Sequence, residues 1–359
     1  MIWKKYLVSL RTIFEMRIDI SKLWNQQLDK FPIDNRDVYF REEYVRLYET
    51  DTEKAVCCVV SEGEQMMLLP YLCRTFEFQG NEYHDFETAY GYGGPVWNNA
   101  DDTFKKKALR FMVEELGKQN YIAGFVRFHP LLQNQGLFDS VGRLIADRHT
   151  VAINLDQSID DVWSNEIHSK NRNVIRKAEK AGCTFVVDEK YEHLKDFIRL
   201  YDSTMDKLSA DGFYYFDDNY YKHLVEGIPN SFLGCVKDAE GKIISAAIFM
   251  FSGSIGHYHL SGSDRSQLSL SPNNMMLWEA AKELQKRGVK RFHLGGGTTG
   301  NEDDSLFLFK RRFSKDTCQF YIGKLVFNQN IYDAICADWV QKNPDKAEHY
   351  KHHLLKYKY

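Results

Sequence analysis

Two spacings of apolar residues take turns along this chain, and the clearest run begins at Thr184. Thr184–Val187 is β-branched and apolar, which predicts a strand. Leu194, Phe197, Ile198, Tyr201 and Met205 recur three and four apart, which predicts a helix over Tyr191–Leu208. Asp217 and Asp218 open a shorter helix, Asp217–Glu226, which Gly227 and Pro229 close. Strands Phe232–Val236 and Ile243–Phe251 flank the turn-forming Asp238–Lys242, and a further strand starts at His257 after the Gly253–Gly256 turn. Ser271 is placed as an N-cap with Pro272 at the first helical position. The stripe Met276, Ala280, Leu284 then runs to a stop at Gly288. Arg291–Leu294 reads as a strand ending in three glycines, Ser305–Phe313 as a helix, and Gln319–Phe327 as a last strand.

The first half repeats much of this order. A helix near Glu42–Tyr48 precedes strands Ala55–Val60 and Met66–Cys73, joined by the turn Ser61–Glu64. Asp102–Gly117 reads as a helix, Tyr121–Phe128 as a strand and Leu144–Leu155 as another. Helix pair, hairpin, long helix, strand, short helix, strand is the order of an acetyltransferase-type (GNAT) mixed sheet. Meeting it twice predicts an α/β protein of two tandem GNAT-like domains, 1–155 and 156–359, joined around residues 150–180.

The chain has 359 residues, 43% of them hydrophobic and 27% charged. That is enough for two cores and unlike a disordered chain. A formal net charge of −3 gives no molecule-wide field for nucleic acid or membrane, so any basic site must be local. Lys4, Lys5, Arg11 and Glu15 interrupt every early apolar stretch, so no secretory leader is expected there. No stretch approaches the roughly 18 apolar residues that span a bilayer. The seven cysteines form no C-x-x-C pair and read as reduced thiols, which points to a cytoplasmic protein.

Gly295 to Gly300 satisfies G-x-G-x-x-G after a strand, but leads into Asn301-Glu302-Asp303-Asp304, whose carboxylates would repel a pyrophosphate. A close backbone approach to another ligand, or a plain turn, fits better. Lys310, Arg311, Arg312 and Lys315 form a basic cluster after an apolar run. Lys310 stands out, because a cation held among apolar neighbours can meet negative charge in acyl transfer. Arg172 and Arg176, four apart in a second basic run, share a helix face and either grip donor phosphates or are solvated. His257 and His259 project to one side of a strand with Tyr258 opposite. No third ligand is apparent near them, so no metal is expected, and one of the three is a candidate to handle a proton. There is no G-x-S-x-G, H-E-x-x-H or P-loop lysine. The Ser263–Ser271 segment before the long helix lacks the glycines with which acetyltransferases cradle a coenzyme A pyrophosphate.

Together these segments resemble the Fem family, the peptidoglycan bridge-forming aminoacyl transferases. Gly94-Pro95-Val96 is similar to that family's turn before the first long helix, and Val126 to Leu132 to its strand ending in an acidic-Pro pair, with His129 in place of Asp. Asn171–Gly182 resembles the helix opening its second domain. Pro272 to Gly288, then Phe309-Lys310-Arg311-Arg312-Phe313 and Tyr321-Ile322-Gly323, resemble its C-terminal signature. The resemblance implies transfer of an aminoacyl group, typically from its tRNA, onto an amine of a cell-envelope precursor. It implies Phe309, Lys310 and Tyr258 at the reaction centre, Lys310 stabilising the oxyanion or leaving oxygen. Arg41, Tyr92, Gly94, Arg172, Arg176, His257, His259 and Arg311 follow as candidate substrate contacts. The chain departs from the pattern at Asn98 (usually Asp), at Arg312 (usually Gly), and at Ser209 and Ala210 before Asp211, where an arginine is expected.

Three readings stay open. The first is a monomeric acyl or aminoacyl transferase with no tightly bound cofactor, using aminoacyl-tRNA or acyl-CoA as co-substrate. The second is an acyl-CoA-dependent N-acyltransferase of surface-glycan synthesis. The third is a silent module that binds RNA through its basic clusters.

Overall fold

The computed structural model of the chain describes residues 15–208 and 212–359; Lys4, Lys5, Arg11, Ser209, Ala210 and Asp211 lie outside them. In the first half, β1 (Arg17–Ser21), β2 (Glu53–Glu62), β3 (Gln65–Phe78) and β4 (Asn81–Glu87) form an antiparallel meander, with helix α1 (Glu42–Arg46) between β1 and β2. The two-residue β5 (Val96–Trp97) adds to β3. Helix α2 (Asp102–Lys118), capped by the Asp101 carboxylate on the Phe104 N–H, crosses over so that β6 (Tyr121–Arg127) returns parallel to β4. Strand β7 (Arg143–Asn154) closes this half.

The second half repeats this plan. After α3 (Ser169–Lys180) come β8 (Thr184–Asp188), α4 (Leu194–Leu208) and α5 (Asp218–Gly227). Then β9 (Ser231–Lys237), β10 (Ile243–Ser252) and β11 (Ile255–Ser263) run antiparallel, with β8 on the outer edge. Helix α6 (Pro272–Lys286) crosses over, and β12 (Arg291–Gly296) lies parallel to β11. A short helix, α7 (Ser305–Arg311), leads to β13 (Thr317–Val326). The expected mixed α/β sheet, built twice, is therefore present. Ser271 does not cap α6: its backbone is left-handed (φ 55°) and its side chain makes no capping bond. A 3₁₀ segment, Arg265–Leu270, opened by the Asp264 carboxylate on the Ser266 N–H, precedes it instead.

The halves merge into one thirteen-stranded sheet, ordered β1-β2-β3-β4-β6-β13-β7-β12-β11-β10-β9-β8 with β5 beside β3. The late strand β13 lies between β6 and β7. Among the described residues β7 pairs only with β13 and β12, both from the second half. The 155/156 boundary thus falls at the end of a strand whose ladder partners all lie downstream.

One face of each half is sealed by its long helix. Phe104, Ala108, Leu109, Met112 and Leu116 of α2 pack on Cys58, Leu69, Tyr71 and Phe86. Met276, Ala280 and Leu284 of α6 pack on Val236, Ala247 and Phe292. On the other face one cluster takes residues from both halves, including Tyr39, Tyr44, Tyr201, Tyr220 and Met250. The two halves therefore share a core, and the residues at its centre are held by both.

Candidate active site

The parallel strands β11 and β12 pair only over Ile255–His257 and Arg291–His293. Beyond that rung they part: β11 stays on β10, while Gly295 and Gly296 turn to Val151 and Thr150 of β7. The backbone groups facing the gap lose their ladder partners and must find others. Lys310, on helix α7, supplies one. It is 7% exposed and its Nζ donates to the Gly296 carbonyl at 2.7 Å. Burial draws its pKa down to about 7, against the opposing charge of Asp304.

Gly295 lies in the left-handed region, with φ +77°. A Cβ placed there would sit 3.3 Å from Lys310 Nζ and 3.5 Å from the Tyr92 hydroxyl, so those two groups converge over this glycine. On the other side of Lys310, the Tyr258 ring centroid is 5.9 Å from Nζ. Burial pushes the Tyr258 hydroxyl up to about 12, opposed by a hydrogen bond with Ser261. Phe309 is half-buried with its ring edge-on to Phe313 at 5.5 Å, and Arg311 is exposed over the Phe307 ring.

The glycine run is a turn organised by Asp304. Its carboxylate accepts from the Thr298 and Thr299 N–H groups and hydroxyls, and from the N–H groups of Leu306 and Phe307 at the start of α7. The amides a pyrophosphate would need are thus taken, and the same carboxylate aims the helix that carries Lys310.

The equivalent gap in the first half is closed. Thr88 N–H donates to the Phe125 carbonyl, Thr88 Oγ1 accepts from the Arg127 N–H, and Arg127 Nη1 donates to the Thr88 carbonyl. The second half therefore carries the open splay.

Gly94 is buried with φ +86°, and Asn134 braces its turn by donating to the Gly93 and Pro95 carbonyls. A Cβ on Gly94 would lie 2.8 Å from Phe128 and 2.9 Å from Asn134. Gly94→Ala is expected to cost about 2 kcal/mol or more through strain and overpacking. A urea titration with an unchanged midpoint would show that the turn relaxes. Asn98 braces the β2–β3 hairpin, accepting from the Met66 N–H and donating to the Glu64 carbonyl.

The other sequence candidates lie apart from Lys310 or hold up the fold. Arg172 Nη1 donates to the carbonyls of Trp163, Ser164 and Ile167, and Arg176 stacks over Trp163 at 5.3 Å. This pair locks residues 162–167 instead of presenting two free guanidinium groups. Arg41 pairs with Asp29 at 2.7 Å on the rim of a small pocket with Pro229 and Phe251. His259 Nε2 meets the Tyr220 hydroxyl at 2.9 Å, and burial, then His257, draws its pKa down to about 3.

His257 is fully buried, and two residues that the sequence does not place with it, Asp37 and His129, stand beside it. Asp37 Oδ2 is 2.7 Å from His257 Nε2 and 3.4 Å from His129 Nε2. The three groups are close enough to suggest a metal, but the hydrogen bonding does not fit one. The Leu132 N–H donates to His129 Nδ1 at 3.2 Å. The ring proton therefore sits on Nε2, where a metal would need the lone pair. The hydrogen bond between His257 Nε2 and Asp37 ties this cluster together, while His129 Nε2 lies near the same oxygen without a hydrogen bond of its own. Asp37 carries no signal in the sequence, and His129 carries one only as the replacement for an expected Asp.

A cleft of about 990 Å³ lies beside this site, with Tyr90, Arg127, Arg148 and Phe320 in its wall. Arg148 Nη1 reaches from the cleft to the carbonyls of Gly297 and Thr298, and the Phe320 ring stands edge-on to Tyr92 at 5.4 Å. Cleft and Lys310 are thereby adjacent. No helix among the described residues is long and apolar enough to cross a membrane.

Comparison with known proteins bears on the fold. The family model described as an acetyltransferase (GNAT) domain matches residues 168–306. The chain is 22% identical to the UDP-N-acetylmuramoylpentapeptide-lysine N(6)-alanyltransferase of Weissella viridescens, over 283 residues taking in 72% of this chain and 82% of that protein. The crystal structure of FemX superposes with a TM-score of 0.68 at 16% identity, covering 89% of this chain and 99% of that one. A tandem GNAT protein from the clavulanic acid biosynthesis pathway superposes at 0.50 with 9% identity, over 86% of this chain and 98% of that one. The tandem GNAT fold and the likeness to the Fem family, both read from the sequence, are borne out.

Proposed function

We propose that this chain transfers an aminoacyl group from its tRNA ester to an amine of a peptidoglycan-type precursor. The observation that carries the reading is Lys310, held against the Gly296 carbonyl in the open splay of a FemX-like fold. There its ammonium meets charge developing on the ester carbonyl as the amine attacks. The similar Weissella alanyltransferase acts, by its name, on the lysine of a UDP-linked muramyl pentapeptide, which makes a lysine amine the first acceptor to test. The adjoining cleft, with aromatic rings and charges of both signs in its wall, is where we place such an acceptor.

The segment before α6 favours a tRNA ester over an acyl-CoA. Asp264 accepts from the Ser266 N–H and pairs with Lys242 there, so a carboxylate occupies ground where a pyrophosphate would need bare amides. Purified protein incubated with labelled alanyl-tRNA and the lysine-containing UDP-linked pentapeptide is expected to label the pentapeptide. Consumption of an acyl-CoA in place of alanyl-tRNA would overturn this reading.

A further inference from the structure

We infer that the buried Asp37–His257 pair, with His293 beside it, takes up the proton the acceptor amine must lose, and that Tyr92 hands it inward; this rests on the aminoacyl-transfer reading above. An amine is an ammonium at neutral pH and has no lone pair to attack with. Lys310 as a cation cannot relieve it.

Four side chains from distant segments meet where the halves share their core: Asp37 and His129 from the first, His257 and His293 from the second. Asp37 Oδ1 accepts the Tyr39 N–H at 3.0 Å, and Oδ2 lies 2.7 Å from His257 Nε2. A carboxylate so placed keeps the His257 proton on Nε2 and leaves Nδ1 a lone pair, as in a hydrolytic triad. His257 Nδ1 and His293 Nε2 are buried without a hydrogen-bond partner. Unsatisfied buried polar atoms are costly, so two side by side call for a use. They belong to rings 5.6 Å apart on the last rung before β11 and β12 diverge.

Tyr92 stands edge-on to His293 at 4.8 Å, with its hydroxyl over Gly295, where Lys310 also reaches. The rings of Tyr92, His293 and His257 thus follow one another from Gly295 toward Asp37. His293 Nε2 and His257 Nδ1 make no hydrogen bond to each other or to Tyr92 here, so both stand vacant to accept one as the proton passes. The charged and titratable groups facing it are Tyr39, Tyr92, His129 and Lys310. Burial, then the charges of His257, His129 and Lys310, hold His293 neutral against the pull of Asp37. Positive charge that arrives at His257 is met by the Asp37 carboxylate, so no unpaired charge is left in the core.

The step balances. The ammonium gives one proton to the Tyr92 oxygen as that hydroxyl gives its own to His293, and His257 receives it in turn. The amine lone pair forms the C–N bond, the ester C–O bond breaks, and the second amine proton leaves on the departing oxygen as a hydroxyl. His257 then returns its proton to solvent by the same route.

Asp37 is a positioning residue here, and the test separates proton transfer from folding. Alanyl-tRNA serves as donor to two nucleophiles, the lysine pentapeptide and methoxyamine, which is already unprotonated at neutral pH, with the uncatalysed reaction subtracted. Tyr92→Phe and His293→Gln are expected to lose about tenfold or more in rate with the pentapeptide relative to whatever they lose with methoxyamine. Equal losses with both nucleophiles, or none, overturn the relay. Failure of the wild-type protein to use either would sink the aminoacyl-transfer reading instead. Histidine ¹⁵N spectra judge the relay independently. A bare Nδ1 on His257 at neutral pH, lost as a defined tautomer in Asp37→Asn, is expected; a proton on Nδ1 in the native protein overturns it.

Discussion

Lys310→Ala is expected to lower turnover by about a hundred- to a thousandfold, the loss that follows removal of one donor from an oxyanion site, or about 3–4 kcal/mol. Stability should move little. The Gly296 carbonyl loses a hydrogen bond worth about 1 kcal/mol, but the fold no longer has to hold an amine away from water. The exposed Lys315 is the control. Lys315→Ala should change both measurements by less than about 0.5 kcal/mol. The pH profile adds a second readout. Because burial brings the Lys310 pKa to about 7, the charged form that stabilises an oxyanion is present below that pH and lost above it. The Lys310-dependent part of the rate should therefore fall as pH rises through about 7, and Lys310→Arg, which stays charged, should flatten that fall. Near-normal turnover in Lys310→Ala would remove it from the chemistry. A large melting shift with a proportionate activity loss would make it structural.

Gly262→Ala is expected to destabilise the protein by about 3 kcal/mol or more. A Cβ at this position of β11 would lie 2.3 Å from Leu200 C and Tyr201 N, which are backbone atoms of α4 and cannot swing aside. The helix lies directly on the strand, so it would have to lift from the shared core. Gly117→Ala is the counterpart: nothing lies within 4 Å of a Cβ there, and the residue is helical. Up to about 1 kcal/mol should be gained. Urea midpoints for both variants check the pair. A loss below about 1 kcal/mol in Gly262→Ala would mean that the contact between α4 and β11 is not rigid.

Much of the fold was legible because its elements are local. The stripe Met276, Ala280, Leu284 and the turn Asp238–Lys242 each announce an element within a few residues, and the repeat of that order showed the tandem plan. Ser271 misled, since a serine before Pro272 has the composition of a cap, and only the backbone shows it in the left-handed region. Strand order across a sheet leaves no such local trace. Nothing in Thr317–Val326 says that it will lie between two strands from the first half. The site divided along the same line. Lys310 sits in a compact motif and could be singled out, whereas Asp37 and His257 are 220 residues apart and meet only when the halves share a core. Arg172 and Arg176 looked available because spacing reports a common face and not the Trp163–Ile167 carbonyls and ring already waiting there.

The position of β13 bears on how the protein is made. During synthesis the chain up to Asn154 emerges with β6 lacking a neighbour on one edge and β7 lacking both, because all three missing pairings are supplied by β12 and β13. That half must wait on the ribosome as an open sheet with bare backbone edges, the state most prone to pair with another chain. Closure comes only when Thr317–Val326 has been translated and threads into place, joining the two halves and setting Phe320 against Tyr92. A nascent chain stopped short of Thr317 would thus be an aggregation hazard and an inactive enzyme for the same reason.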